Sequence, residues 1–244
     1  MSATLRRYAL TLLTLFSPLL NAAQSSQYTL LAQELSTYRL LTLFHLLRLE
    51  QGAPEVHLRL QAELENFEHL IHVQADEALA SQLQPSAQRF QTALLDGARQ
   101  SHDEIDFYVL GELSQSGHGL LQLIRQHQVE LADSPASMDL RQAILMQQIA
   151  AEYVREAASF DSGSAVYDRA QELSEPVDVL AQTFSQRLAQ LQHATAESAD
   201  QRAKLEQVRV IWNYIEQPLL DYRERSLPFV ISRYSEQIVV LLIN

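Results

Sequence analysis

The chain contains no cysteine at all among its 244 residues. That excludes disulfides, thiol chemistry and attachment through a lipidated cysteine, and it fits a protein that must persist in an oxidising space. Glycine (6) and proline (7) are sparse, too few for a β-sandwich or for a fold built on a glycine-rich phosphate loop. Uncharged apolar runs of about 18 residues, the length a membrane-crossing helix needs, are also missing. The C-terminal "IVVLLIN" is apolar, but Arg233 and Glu236 stand just before it.

Signatures of chemistry are missing as well. There is no Gly-x-Ser-x-Gly elbow and no His-Glu-x-x-His. None of the 8 histidines has a glutamate three residues before it, as a di-metal helical bundle requires. The nearest approach to a metal set is "ENFEHLIH", where Glu65, His69 and His72 share one helical face and Glu68 meets His72 one turn on. Phe67 and Ile71 already define the buried face of that helix, so these groups are expected at its edge, in water. "SGHG" around His118 reads as a loop without a catalytic role, and Asp103, Glu104 and Asp106 as a solvated face. The sequence implies no enzyme, no cofactor and no metal. Basic runs with interleaved aromatics are absent, and a net charge of -12 repels nucleic acid.

What is present is a leader and a series of amphipathic stripes. Arg6 and Arg7 precede the apolar "ALTLLTLFSPLL", and "NAA" follows with small residues suited to cleavage after Ala23. Residues 1–23 therefore read as a signal peptide, with an uncleaved membrane anchor as the alternative, and the remainder as a periplasmic protein, not held in the membrane once the leader is removed. Without Arg6 and Arg7 the net charge becomes -14, because residues 1–23 carry no acid.

Apolar residues then recur in steps of three and four, which keeps them on one helical face. One stripe is Val56, Leu60, Leu64, Phe67 and Ile71. Another runs Val166, Ala170, Leu173, Val177, Leu180, Phe184, Leu188 and Leu191. A third is Leu205, Val208, Trp212, Ile215 and Leu219. The stretch from Leu30 to Leu49 is apolar nearly all round and is expected near the centre. "EQGAPE", "SQSGHG", "ADSPAS", "FDSGSA" and "ERSLPF" read as breaks, with Ser226 as an N-cap. Pro176 and Pro218 are expected to kink their helices or to mark junctions. The fold class is all-α, a long antiparallel helical bundle. The order of elements in residues 28–131 recurs in 138–243, which suggests two tandem four-helix units, 24–134 and 135–244.

"LRQAILMQQIAAEYV" (Leu140 to Val154) resembles the motif of PilJ-type and NarX-type periplasmic sensor domains, the N-terminal domain of type IV pili methyl-accepting chemotaxis transducers. "VRVIWNYIEQPLLDYRERSLPFVISRYSEQIV" (Val208 to Val239) resembles the end of the same domain. The likeness covers chiefly Asp139 to Leu242. It implies a free-standing helical sensor module that forms a homodimer and hands its signal to an envelope receptor or chemosensory partner. It places Arg141 on the first arginine of the motif and Gln148 on the third. Ala143 falls on the second, the one that pairs with an oxyanion in nitrate sensors, and an alanine offers no such fork. The ligand-binding candidates are Arg141, Gln142, Gln148 and Tyr153, with Arg141 as the single charge of a polar pocket at a dimer seam. A plainer reading leaves Arg141 and the glutamines exposed beside a core stripe. Trp212 is expected in the core, and Arg233 and Tyr234 as ordinary surface. The alternative function is a structural or assembly protein of the envelope without a small ligand.

Overall fold

The structure, a computed structural model, describes residues 3–74, 76–100, 106–128, 135–161, 175–194, 198–224 and 226–244, with side chains from residue 25 onward except 135, 136, 160 and 161. These residues form eight α-helices: α1 (Ala3–Leu49), α2 (Pro54–His72), α3 (Glu77–Ala98), α4 (Phe107–His127), α5 (Pro135–Asp161), α6 (Val177–Ala194), α7 (Ala199–Leu220) and α8 (Pro228–Ile243). The fold is an all-helical bundle, as the stripes require. No helix among the described residues is long and apolar enough to cross a membrane.

Local chemistry sets the helix ends. Pro54 opens α2, where a missing N–H costs nothing. Asp76 caps α3 by accepting from the amides of Ala78 and Leu79, and Asp106 caps α4 by accepting from Tyr108. Asp106 is therefore a cap and not simply a solvated acid; Asp103 and Glu104 lie outside the described residues. Ser198 caps α7. Gly52, at φ 79°, turns the chain after α1 and donates its N–H to the Leu47 carbonyl at 2.8 Å.

Four expectations about breaks are corrected. "SQSGHG" is not a loop but the middle of α4. Its small residues serve packing: Ser116 and Gly117 are buried, and a β-carbon on Gly117 would stand 3.3 Å from the Phe90 ring. Ser226 does not cap α8; that place belongs to Leu227, whose side chain cannot cap, and Pro228 starts the helix. Pro135 to Ser137 of "ADSPAS" already belong to α5, and Phe160 and Asp161 of "FDSGSA" still do; the rest of both segments lies outside the described residues, as do Val166, Ala170 and Leu173. Pro176 lies immediately before α6, and Pro218 sits in the last turn of α7, so both mark junctions.

The buried apolar residues fall into two clusters. One gathers α1 to α4 and takes Val154 from α5. The other gathers α5 to α8 and takes Leu31, Leu35 and Tyr38 from α1 and Leu121 from α4. Helices α1 and α5 lie side by side between them. Helix α1 serves both clusters, with Leu40, Phe44 and Leu47 toward one and Leu31, Leu35 and Tyr38 toward the other. This explains its apolar character nearly all round.

Gly97 and Gly119 offer a paired test of this packing. A β-carbon on Gly97 would lie 2.8 Å from Phe44 Cε2, whereas one on Gly119 meets nothing within 4 Å. Gly97→Ala is expected to destabilise by about 1–3 kcal/mol through overpacking. Gly119→Ala is expected to stabilise by roughly 1 kcal/mol, because alanine suits a helix interior better than glycine. Urea unfolding followed by far-ultraviolet circular dichroism measures both; a destabilised Gly119→Ala would mean that this segment is not helical.

Candidate functional site

On one side of the central pair, α4 and α6 stand apart and leave a cleft of about 910 Å³. Each bounding helix contributes a stripe at three- and four-residue spacing. From α1 come Leu31, Glu34, Tyr38, Leu41 and His45; from α5 come Arg141, Leu145, Gln148, Glu152 and Arg155. Helix α4 adds Ser114, His118, Leu121 and Arg125, and α6 adds Leu180, Thr183 and Arg187. Leu31 to His45 spans about 20 Å at 1.5 Å per residue, so the cleft is elongated.

Its middle is held by a hydrogen-bonded clamp. The Glu34 carboxylate, buried on α1, accepts from Arg125 Nε and from Gln128 Nε2, each at 2.7 Å. Arg125 Nη2 donates to the Tyr38 hydroxyl at 2.7 Å and reaches Gln148 Oε1 on α5 at 3.4 Å. Burial pushes the Tyr38 hydroxyl far above its ordinary pKa, against the pull of the Arg125 guanidinium. The group stays a neutral phenol.

At one end of the cleft stand Arg141 and Arg187. Gln142, next to Arg141, donates to the Phe184 carbonyl at 3.0 Å, and Arg187 lies one turn beyond Phe184, so both arginines flank that contact. Neither makes an ion pair among the described residues. At the other end His45 is buried and its Nδ1 has no hydrogen-bond partner among the described residues. Burial, then the charges of Arg48 and Arg155, hold His45 well below its ordinary pKa, so it is neutral. Arg155 bonds Glu152 at 2.9 Å and also faces Glu156.

The four candidates separate. Arg141 and Gln148 line the cleft. Gln142 is buried and committed to the Phe184 carbonyl. Tyr153 is buried, and its hydroxyl accepts the Leu227 amide at 2.8 Å, which ties α5 to the start of α8. The plainer reading of this helix also fails in part, since Gln142 and Gln147 are buried, Gln147 donating to Thr42 Oγ1 at 2.9 Å. Arg141 is not the single charge, because Arg125, Arg155 and Arg187 share the cleft, and the cleft is formed within one chain. Ala143 is wholly buried in the second core cluster.

Sequence reasoning missed Glu34, Tyr38, His45, Arg125, Arg155 and Arg187. A signal existed for the first three: polar groups recur at helical spacing along the most apolar helix of the chain. Elsewhere, Glu65, Glu68, His69 and His72 are exposed on α2, with His72 Nδ1 near the Glu68 carbonyl. Trp212 is buried against Phe184 and donates to Ser185 Oγ at 2.9 Å. Compared with known proteins, the chain matches no family model, no curated protein and no solved structure.

His45 makes stability depend on pH with a definite sign. Above about pH 6.5 it is neutral both folded and unfolded. As pH falls below that value the unfolded chain takes up a proton that the folded chain refuses. Stability is then lost at up to about 1.4 kcal/mol per pH unit until the lower folded pKa is reached. Urea midpoints at pH 7.5, 6.5 and 5.5 should fall more steeply for the natural protein than for His45→Phe. Parallel curves would show that His45 titrates normally.

Proposed function

We propose that the chain is an exported, non-catalytic, sensor-like module that binds a small molecule in the cleft between α1, α4, α5 and α6. The cleft itself carries the reading: it is elongated, half apolar and half polar, and walled by four helices with arginines at both ends. Pockets of this size, with a few convergent polar groups on an apolar wall, are the usual form of small-molecule sites. The leader-like residues 1–23 support export to the periplasm, and the likeness of Leu140–Val154 to PilJ-type and NarX-type sensor domains supports a link to type IV pilus or chemosensory signalling. In this reading a homodimer or an envelope receptor receives the signal. Catalysis is not invoked: Glu34, Tyr38 and Arg125 are tied into the clamp and Arg155 into ion pairs.

A second reading, an assembly or interaction protein of the envelope, is favoured by one observation. On α7 and α8, Val210, Tyr214, Phe229, Val240 and Ile243 are exposed, and Tyr214 meets Tyr234 edge-on at 4.9 Å.

Thermal-shift screening of the purified protein with small polar and anionic compounds separates the two. A hit should raise the melting temperature, and Gln148→Trp, which fills the middle of the cleft, should abolish that rise. Arg141→Ala should leave the stability of the unliganded protein within about 0.5 kcal/mol, as expected of a side chain without an ion pair. A library without a hit would leave the interaction reading. Intact mass of protein from a periplasmic extract should start near Gln24; a mass that retains Met1 to Ala23 would overturn cleavage.

A further inference from the structure

We propose that Arg141 of α5 and Arg187 of α6 form a subsite for a doubly charged oxyanion, a phosphate group or a dicarboxylate, carried by a small molecule that lies in the cleft. The proposal rests on the ligand-binding reading above and gives that ligand a chemical class.

The register of α5 and α6 brings the two arginines together. Gln142 donates to the Phe184 carbonyl at 3.0 Å, so the two helices touch at that level. Arg141 stands about 1.5 Å along α5 from Gln142, and Arg187 about 4.5 Å along α6 from Phe184. Packed helices lie about 8–10 Å apart, a gap that two arginine side chains span between them. Both line the same cleft, so one small ion between the helices is within reach of both guanidinium groups.

Both arginines are uncompensated. Neither makes an ion pair among the described residues, whereas Arg39, Arg59, Arg89 and Arg209 each face a carboxylate. Acids are in excess in this chain, 30 against 18 lysines and arginines, yet these two cations share a cleft without one. The acids around them are engaged or distant. Glu34 is taken by Arg125 and Gln128, and Asp139 by Gln201 and Lys204 of α7. Glu152 stands about three turns from Arg141, and Glu175 about as far from Arg187. This end of the lining therefore carries two net positive charges.

Two open forks select the charge of the occupant. A guanidinium offers paired N–H donors that match the oxygens of phosphate and carboxylate. A monoanion satisfies one fork and leaves the other unpaired, whereas a dianion neutralises both and removes their mutual repulsion. The neighbouring groups agree. Gln148, two turns from Arg141 on the same face, accepts from Arg125 through Oε1, which leaves its amide N–H groups to donate. Leu145 and Leu180 lie beside these polar groups and offer an apolar wall to a short carbon body.

Calorimetric titration of the purified protein at pH 7.5 and physiological ionic strength, with inorganic phosphate, succinate and acetate, tests the assignment. Phosphate or succinate should bind saturably and at least tenfold more tightly than acetate, and the one that binds assigns the group as phosphate or dicarboxylate. Arg141→Gln and Arg187→Gln should each weaken that binding tenfold or more. Arg233→Gln, which removes an exposed charge on α8, should leave it unchanged. Equal binding of acetate, an unchanged affinity in either cleft variant, or an equal loss in Arg233→Gln overturns the subsite. If a cleft variant fails to fold, nuclear magnetic resonance of the natural protein decides. The side-chain N–H signals of Arg141 and Arg187 must shift with the dianion and not with acetate, and unmoved signals overturn the proposal. Failure of both dianions, while another compound stabilises the protein in a manner Gln148→Trp abolishes, removes the anion subsite alone. A library without any hit removes the ligand-binding reading with it.

Discussion

A carboxylate buried on a central helix has to be neutralised or paired, and much of the architecture follows from how Glu34 is paired. Its two oxygens are taken by Arg125 of α4 and by Gln128, which follows that helix. Without them a charge would sit in apolar surroundings at a cost of several kcal/mol. The partner must come from outside the core, and Arg125 stays half exposed, so water screens the pair and tempers what it adds to stability. Its greater effect is geometric. Arg125 also holds Tyr38 and reaches Gln148, so one guanidinium fixes α4 against both α1 and α5. The helix is held by its polar edge, and the space beside that edge is the cleft.

The same logic runs along the rest of the central pair. Helix α1 feeds two apolar clusters, and the strip left between them carries polar groups that must find partners within the bundle. Ser36 bonds Glu63 of α2, Gln33 donates to the Leu70 carbonyl, and Thr42 accepts from Gln147 of α5. On α5, Asp139 accepts from Gln201 and Lys204 of α7 through Oδ2. Polar contacts of this kind add little net energy, but breaking one strands a buried group. They fix which helix meets which, a specificity that apolar stripes alone do not provide.

How much of this was legible in the sequence depended on distance along the chain. Stripes such as Val56 to Ile71 and Leu205 to Leu219 are local, and every residue in them is buried. The capping at Asp106 was local too, but its carboxylate was read as part of a solvated face. The misread "SQSGHG" has a definite cause. Small residues signal a turn in isolation, whereas here Gly117 is small because α3 brings Phe90 against it. The site was less legible for a further reason. Arg141 and Gln148 were found by likeness to a motif, and their neighbours Gln142 and Tyr153 came with them. Which of the four face a cavity depends on where α6 and α8 pack, and that is long-range information. Glu34 and His45 could have been found from their own helix, since an acid and an imidazole at helical spacing in an apolar helix need an explanation.

Charge gives the cleft its meaning. The chain as a whole carries -12, and its field disfavours the approach of anions. Within the cleft four arginines are set against Glu34, Glu152 and Glu175, so the lining is positive by one charge where the protein around it is negative. The charge is not spread evenly. Arg125 and Arg155 are engaged by carboxylates, while Arg141 and Arg187, at one end, make no ion pair among the described residues. At the other end burial, and after it the charges of Arg48 and Arg155, keep the His45 imidazole neutral. A molecule lying along the cleft would touch α4, α5 and α6 as well as α1, and so bind together flanking helices that belong to the two different core clusters. In the proposed sensor reading, occupancy of the cleft would thereby be coupled to the relative placement of the two clusters through one set of side chains, which is the physical requirement for a module that reports a bound molecule to a partner.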